Sequence, residues 1–314
     1  MPVQPSADAR IRIENRPGAR YVLQFDERSN GGRREVVAAI NDQGFRGPVV
    51  DRPKPAGTLR ILALGDSQTF GIGVGEGASW PAVLERELAR GGERRRVEVM
   101  NCAVAGYDAE QEAASLETRW LEYEPDLVLL GYFVNDPGLP GIQGERPSGF
   151  YHELLSFVSP GREGLLESLR QRSALVDFVL DATFRRARVH EWARGGEALH
   201  EDDFEGWVRT RAAIVRERDL ARARGARFAV LLLPFLVRWN DGLLSTEPYR
   251  RVAAFCAQAE IPCLDLEPAF AGRDPATLLV DSTDAHSGAE AHRIEGEAVA
   301  RWIAERKMLL PAGN

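Results

Sequence analysis

Ser67 stands at the end of a short apolar run, in "RILALGDSQTFGIG" (residues 60–73). A serine hydroxyl becomes a useful nucleophile only when a base takes its proton, and that base is most often a histidine oriented by an acid. The chain has five histidines. His152, His190 and His200 lie in or near a long insert and read as surface or packing residues. His286 differs: it sits in "VDSTDAHSGAEAHRI", with Asp284 two residues before it and Asp281 five before it. Either carboxylate is placed to accept a hydrogen bond from the imidazole. The reaction would also need donors for an oxyanion. Gly106 of "NCAVAGYD" can bring its backbone N–H close to a substrate, and Asn135 of "GYFVND" offers a side-chain amide.

Taken singly, each residue has a structural explanation. A Gly-Asp-Ser run can be a helix cap, Gly106 a turn, Asn135 another cap, and "HSGAEAH" a helix start. Two rival chemistries are weaker. His286 and His292 are six residues apart, which is neither an i,i+4 pair nor a zinc-binding HExxH pattern. Cys102 lies near Gly106 but has no local histidine, and a buried cysteine behaves mostly as a small hydrophobe.

The elements that must position these residues alternate in type. "RILALG", "VEVMNCAV", "PDLVLLGYF", "ARFAVLLLP" and "IPCLDL" read as buried strands. "SWPAVLERELARGG", "DAEQEAASLETRWLEY", "GWVRTRAAIVRERDLARARG", "PYRRVAAFCAQAE" and "GAEAHRIEGEAVARWIAERK" read as helices. The acidic residues opening the second of these suit a first turn. Such alternation gives a parallel sheet covered on both faces. Ligands bind such sheets beyond the carboxyl ends of the strands, where Ser67, Gly106, Asn135 and His286 all fall.

Two segments break the rhythm. Residues 1–9 read as a loose tail, and "RIRIE", "RYVLQF" and "EVVAAI" as short strands separated by the turn chemistry of "NRPG" and "ERSNGG". Residues 1–58 are therefore expected to be a small β-rich N-terminal extension. Residues 59–314 form the main domain, with a helical insertion at about 137–204. That insertion follows the third strand, so it serves equally as a lid or pocket wall and as a packing layer.

At 314 residues and 44% hydrophobic, the chain can bury a sizeable core. A net charge of -7 excludes the basic footprint of nucleic-acid binding. No apolar run reaches the length of a membrane span, and the amino terminus lacks a signal-peptide core. Three cysteines without a CxxC pair suit a reducing compartment. The expected location is cytoplasmic, with export under a cropped signal also compatible. The expected partner is a small-molecule ester, with no nucleic acid, no membrane span and no cofactor or metal.

Four blocks in order, "GDSQTFG", the glycine of "NCAVAG", the asparagine of "GYFVND" and the histidine of "DSTDAHSGAEAH", resemble the SGNH/GDSL hydrolases. The resemblance covers roughly residues 59–136 and 226–306, and "INDQGFRG" upstream resembles a segment of members with an N-terminal extension. It implies a three-layer α/β/α fold with a five-stranded parallel, flavodoxin-like sheet. It also implies Ser67 as nucleophile and His286 as base, with Ser67 N–H, Gly106 N–H and the Asn135 side chain as oxyanion hole. The family commonly carries Asp three residues before the histidine, where this chain has Thr283. Asp284 is the first candidate acid and Asp281 the alternative. The family's Pro-Asn after the histidine is replaced by Ser287-Gly288. Asp66 reads as a structural hydrogen-bonding residue rather than the acid. The resulting expectation is a serine ester hydrolase working through an acyl-enzyme, on an ester of a lipid, sugar or small metabolite. The alternatives are an acyltransferase using the same Ser-His site, or a non-catalytic binding protein on the same fold.

Overall fold

The computed structural model describes residues 2–27, 32–138, 196–239, 242–280 and 284–309. Two antiparallel hairpins open the chain. β1 (Val3–Pro5) pairs with β2 (Ile13–Asn15), and β3 (Arg20–Glu27) with β4 (Gly32–Ala39). β1 falls within the segment expected to be a loose tail. It is ordered by a surface distant in sequence: Ile11 beside it is buried against Val104, Tyr107 and Ala114.

The main sheet contains β5 (Thr58–Gly65), β6 (Arg96–Asn101), β7 (Leu127–Tyr132), β8 (Arg227–Leu232) and β9 (Cys263–Asp265). All neighbours run parallel, in the spatial order β9-β8-β7-β5-β6. This is the flavodoxin-like order, so the expected fold class holds. β5 is buried at all eight positions, as a central strand covered on both faces must be. Even Arg60 is buried there; its guanidinium is matched by Glu98 at 2.6 Å and by the Tyr123 and Asp51 carbonyls.

After β5 comes a single helical turn, α1 (Ser67–Phe70), and then α2 (Trp80–Arg90). α3 (Ala109–Thr118), α4 (Glu205–Ala223), α5 (Thr246–Gln258) and α6 (Ala289–Glu305) follow. α2 packs with α6, and α3 with α4, giving the two helical layers around the sheet. The sequence pattern suggests one helix from Asp108 to Tyr123, but α3 stops at Thr118 and a 3₁₀ turn spans Trp120–Tyr123. The change of direction lets Trp120, Leu121 and Tyr123 all enter the core.

The helices expected in the insertion, with His152 and His190, lie outside the described residues, except that residues 196–198 of the helix expected at 190–199 are described and helical. Among the described residues no helix is long and apolar enough to cross a membrane. Chain order reverses between β5 and β7, which opens a crevice at their carboxyl ends.

Candidate active site

Gly65 ends β5 at φ +144, and a Cβ there would collide with the Thr69 side chain. Only glycine fits that corner. Asp66 caps the next turn, its Oδ1 accepting the Gln68 N–H at 2.9 Å. Ser67 opens α1, which lasts one turn because Gly71 leaves it in the left-handed region at φ 82. The helical turn that begins at Ser67 is therefore four residues long.

Ser67 Oγ lies 2.8 Å from His286 Nε2, and His286 Nδ1 lies 2.6 Å from Asp284 Oδ1. The same carboxylate oxygen accepts the His286 backbone N–H at 2.9 Å, so ring and backbone are fixed together. A carboxylate at Nδ1 favours the proton on that nitrogen, which leaves Nε2 free to accept from the serine. Burial disfavours the imidazolium, but the Asp284 hydrogen bond and charge, aided by Asp66, outweigh it and raise the His286 pKa above its ordinary value. Burial acts to raise the Asp284 pKa, but its bonds to His286 hold the carboxyl below its ordinary range. Asp281 lies outside the described residues.

Asn135 follows β7 in a tight turn closed by the Gly138 N–H on its carbonyl at 2.9 Å. Its side chain hydrogen-bonds Asp66. Asn135 Oδ1 has no hydrogen-bond partner among the described residues, so the amide nitrogen faces the carboxyl group. An NH₂ carries two donors, so the bond to Asp66 uses one of them. Asp66 is wholly buried, and that burial raises its pKa against the pull of Gln68, His286, Asn135 and Ser67. Gly106 sits at φ +87 in the loop after β6, a conformation that favours glycine although space for a Cβ exists. Gly106 and Asn135 line the same cleft.

Three supporting residues had no role in the sequence reading. Arg46, of "INDQGFRG", is 3% exposed, and its guanidinium donates to the carbonyls of Phe70, Gly71, Val74 and Gly75 at 2.7–2.8 Å. Asn101 Nδ2 donates to Thr69 O at 3.0 Å, so the turn carrying Ser67 is tied down from two sides. Gln68 Oε1 accepts the Ser287 N–H at 3.2 Å, joining the serine turn to the histidine loop. An arginine inside a glycine-flanked "GFRG" was the available signal for Arg46. Nothing local marks Gln68 or Asn101.

The other candidates lie elsewhere. His292 is on α6, its Nδ1 accepting the Trp80 N–H at 3.3 Å. His200 is buried, its Nε2 2.7 Å from the Tyr132 hydroxyl, and burial lowers its pKa to about 4. Cys102 is buried and its thiol pKa is pushed up by that burial.

Residues 63–294 match the model of the GDSL-like lipase/acylhydrolase family. The chain is 29% identical over 111 residues to Thioesterase 1/protease 1/lysophospholipase L1 of Escherichia coli. That stretch covers 35% of this chain and 50% of the other, so the chain spans about half the length of the curated relatives it matches. Among solved structures it resembles a member of the lipolytic protein G-D-S-L family from Veillonella parvula, at 14% identity and TM-score 0.45, covering 80% of this chain and 100% of that one. It also resembles the psychrotrophic esterase EstA from Pseudoalteromonas, at 12% identity and TM-score 0.46, covering 79% and 98%.

Proposed function

The chain belongs to the GDSL-like lipase/acylhydrolase family, and we propose that it is a serine-dependent carboxylic ester hydrolase with Ser67 as nucleophile. The observation that carries this reading is the unbroken Ser67–His286–Asp284 chain of contacts at 2.8 and 2.6 Å. Ser67 Oγ attacks the ester carbonyl carbon while its proton passes to His286 Nε2. The imidazolium that forms is stabilised by the Asp284 carboxylate. The oxyanion accepts from the Ser67 and Gly106 backbone N–H groups and from the second amide N–H of Asn135.

Collapse of the tetrahedral species breaks the bond to the leaving alcohol, which takes the proton from His286. A water molecule then gives its proton to His286 and attacks the acyl-enzyme carbonyl. The second collapse restores Ser67 and releases the acid. In this scheme Asp66 is a positioning residue: it orients Asn135 and caps the serine turn.

The test is hydrolysis of p-nitrophenyl esters of increasing acyl length by the wild type and Ser67→Ala. Turnover that disappears in the variant supports the assignment. Equal turnover in both proteins removes Ser67 as the nucleophile.

A further inference from the structure

The cleft that begins at Gly106 and Asn135 has a volume of about 210 Å³. Its far walls are charged: Arg12 comes from the β1–β2 hairpin, Asp108 and Glu110 from the start of α3, and Arg209 from α4. Among the described lining residues there is no Leu, Ile, Val, Phe, Met or Trp. We infer that this cleft is the subsite for a hydroxylated, sugar-like portion of the ester, with Arg12 as a specificity-determining residue.

The hairpin is a fixed part of the site. The Tyr107 hydroxyl donates to Ile13 O at 2.8 Å and Gln111 Nε2 to Ile11 O at 2.6 Å, so the loop carrying Gly106 is bonded to the hairpin that carries Arg12. Arg12 has φ +61, a left-handed conformation that Gly or Asn adopts at less cost. That cost falls at the position that brings a guanidinium to the cleft. The Arg12 guanidinium makes no hydrogen bond among the described residues; its one ion pair, with Asp108 Oδ2, is 3.8 Å long. Its donors are thus available to a ligand. Arg209 is held in place between Glu110 at 3.0 Å and Glu205 at 2.6 Å.

The chemistry of these walls selects among ligands. A hydroxyl both donates and accepts, so it can meet a guanidinium and a carboxylate at once, and neighbouring hydroxyls can span such a pair. Among the described lining residues a long alkyl chain would find the Pro137 ring but no branched aliphatic side chain, and it would desolvate charges. An anionic group would face Asp108 and Glu110 as well as Arg12.

This inference rests on the serine esterase reading, and its test separates the two. The substrates are 6-O-acetyl-D-glucose and cyclohexylmethyl acetate, which carry rings of similar size with and without hydroxyls. For the wild type, kcat/KM is expected to favour the glucose ester by about tenfold or more, the value of one hydrogen bond to a charged group. In Arg12→Gly, which suits the backbone, that ratio falls to within about twofold of unity through a higher KM for the glucose ester. Arg10→Gly, on the same hairpin but paired with Asp8 and Glu117, keeps the wild-type ratio. A wild type without the preference, an unchanged ratio in Arg12→Gly, or cleavage of p-nitrophenyl acetate without cleavage of the glucose ester overturns the subsite. Failure of the underlying reading shows differently, as p-nitrophenyl acetate hydrolysis that survives Ser67→Ala.

Discussion

Replacing Arg46 by alanine removes the clamp on the serine turn. The guanidinium makes four bonds to backbone carbonyls, of Phe70, Gly71, Val74 and Gly75, all at 2.7–2.8 Å. Hydrogen bonds to charged groups contribute about 1.5–3 kcal/mol each, so simple addition would give about 6–12 kcal/mol. That sum overcounts for two reasons. Gly75 is partly exposed, so water can replace part of the lost bonding. Burial also pulls the Arg46 pKa down, which marks a desolvation cost that the variant escapes. Phe70 O keeps the Asn101 Nδ2 donor at 3.2 Å and Gly71 O the Val74 N–H at 3.3 Å, so the buried Val74 carbonyl is the one left without a donor among the described residues. That acceptor, the weakened bonding at the other three carbonyls and the lost packing of the guanidinium on the Phe70 ring at 5.3 Å give a loss of about 3–5 kcal/mol. For a chain of this size that lowers Tm by about 5–8 °C. Thermal unfolding followed by circular dichroism measures it, with Arg46→Lys expected to fall between the two because one ammonium cannot reach four carbonyls. A Tm for Arg46→Ala within about 2 °C of wild type would refute this reasoning.

Two further outcomes follow from the titrating groups. Neutral His286 is the active base, so kcat/KM should rise with pH through its raised pKa; Asp284→Asn removes the carboxylate that holds the imidazolium, and the rising limb moves to lower pH with a plateau reduced by about 100-fold or more. A pH–rate profile checks this, and an unmoved limb would contradict it. Glu217 is fully buried with neither side-chain oxygen hydrogen-bonded among the described residues, and burial raises its pKa well above the ordinary value. Its folded pKa exceeds its unfolded one, so no penalty exists below the unfolded value, and stability falls by about 1.4 kcal/mol per pH unit as pH rises towards the folded value. Glu217→Gln should therefore raise Tm at about pH 8 and lose most of that advantage near about pH 4; a gain independent of pH would contradict the assignment.

The sheet was legible because its strands are covered on both faces and so read as near-continuous apolar runs. Ser67, Gly106 and Asn135 could be placed at one end of the sheet because each follows such a run by only a few residues; His286 lies well past β9 and could be placed only by its position just before the closing helix. The long-range pieces were not. β1 looks like a polar tail until Ile11 meets Val104 and Tyr107. Arg46 makes its contacts 24 to 29 positions along the chain, with backbone atoms that have no side-chain signature. The acidic residues opening α3 suited a first turn, but the pattern did not show that Glu112 is buried, where the charges of Asp136 and Glu217 act on it. Periodicity in an alanine-rich helix does not reveal which face a neighbouring helix will cover.

Labelling with a fluorophosphonate tests the central claim most directly, because the probe reports an activated serine without a guess at the substrate. Intact-mass and peptide analysis should place a single adduct on Ser67 of the wild type. Labelling should be lost in Ser67→Ala and strongly slowed in His286→Ala. An unlabelled wild type, an adduct on another residue, or labelling that ignores His286 would contradict the account.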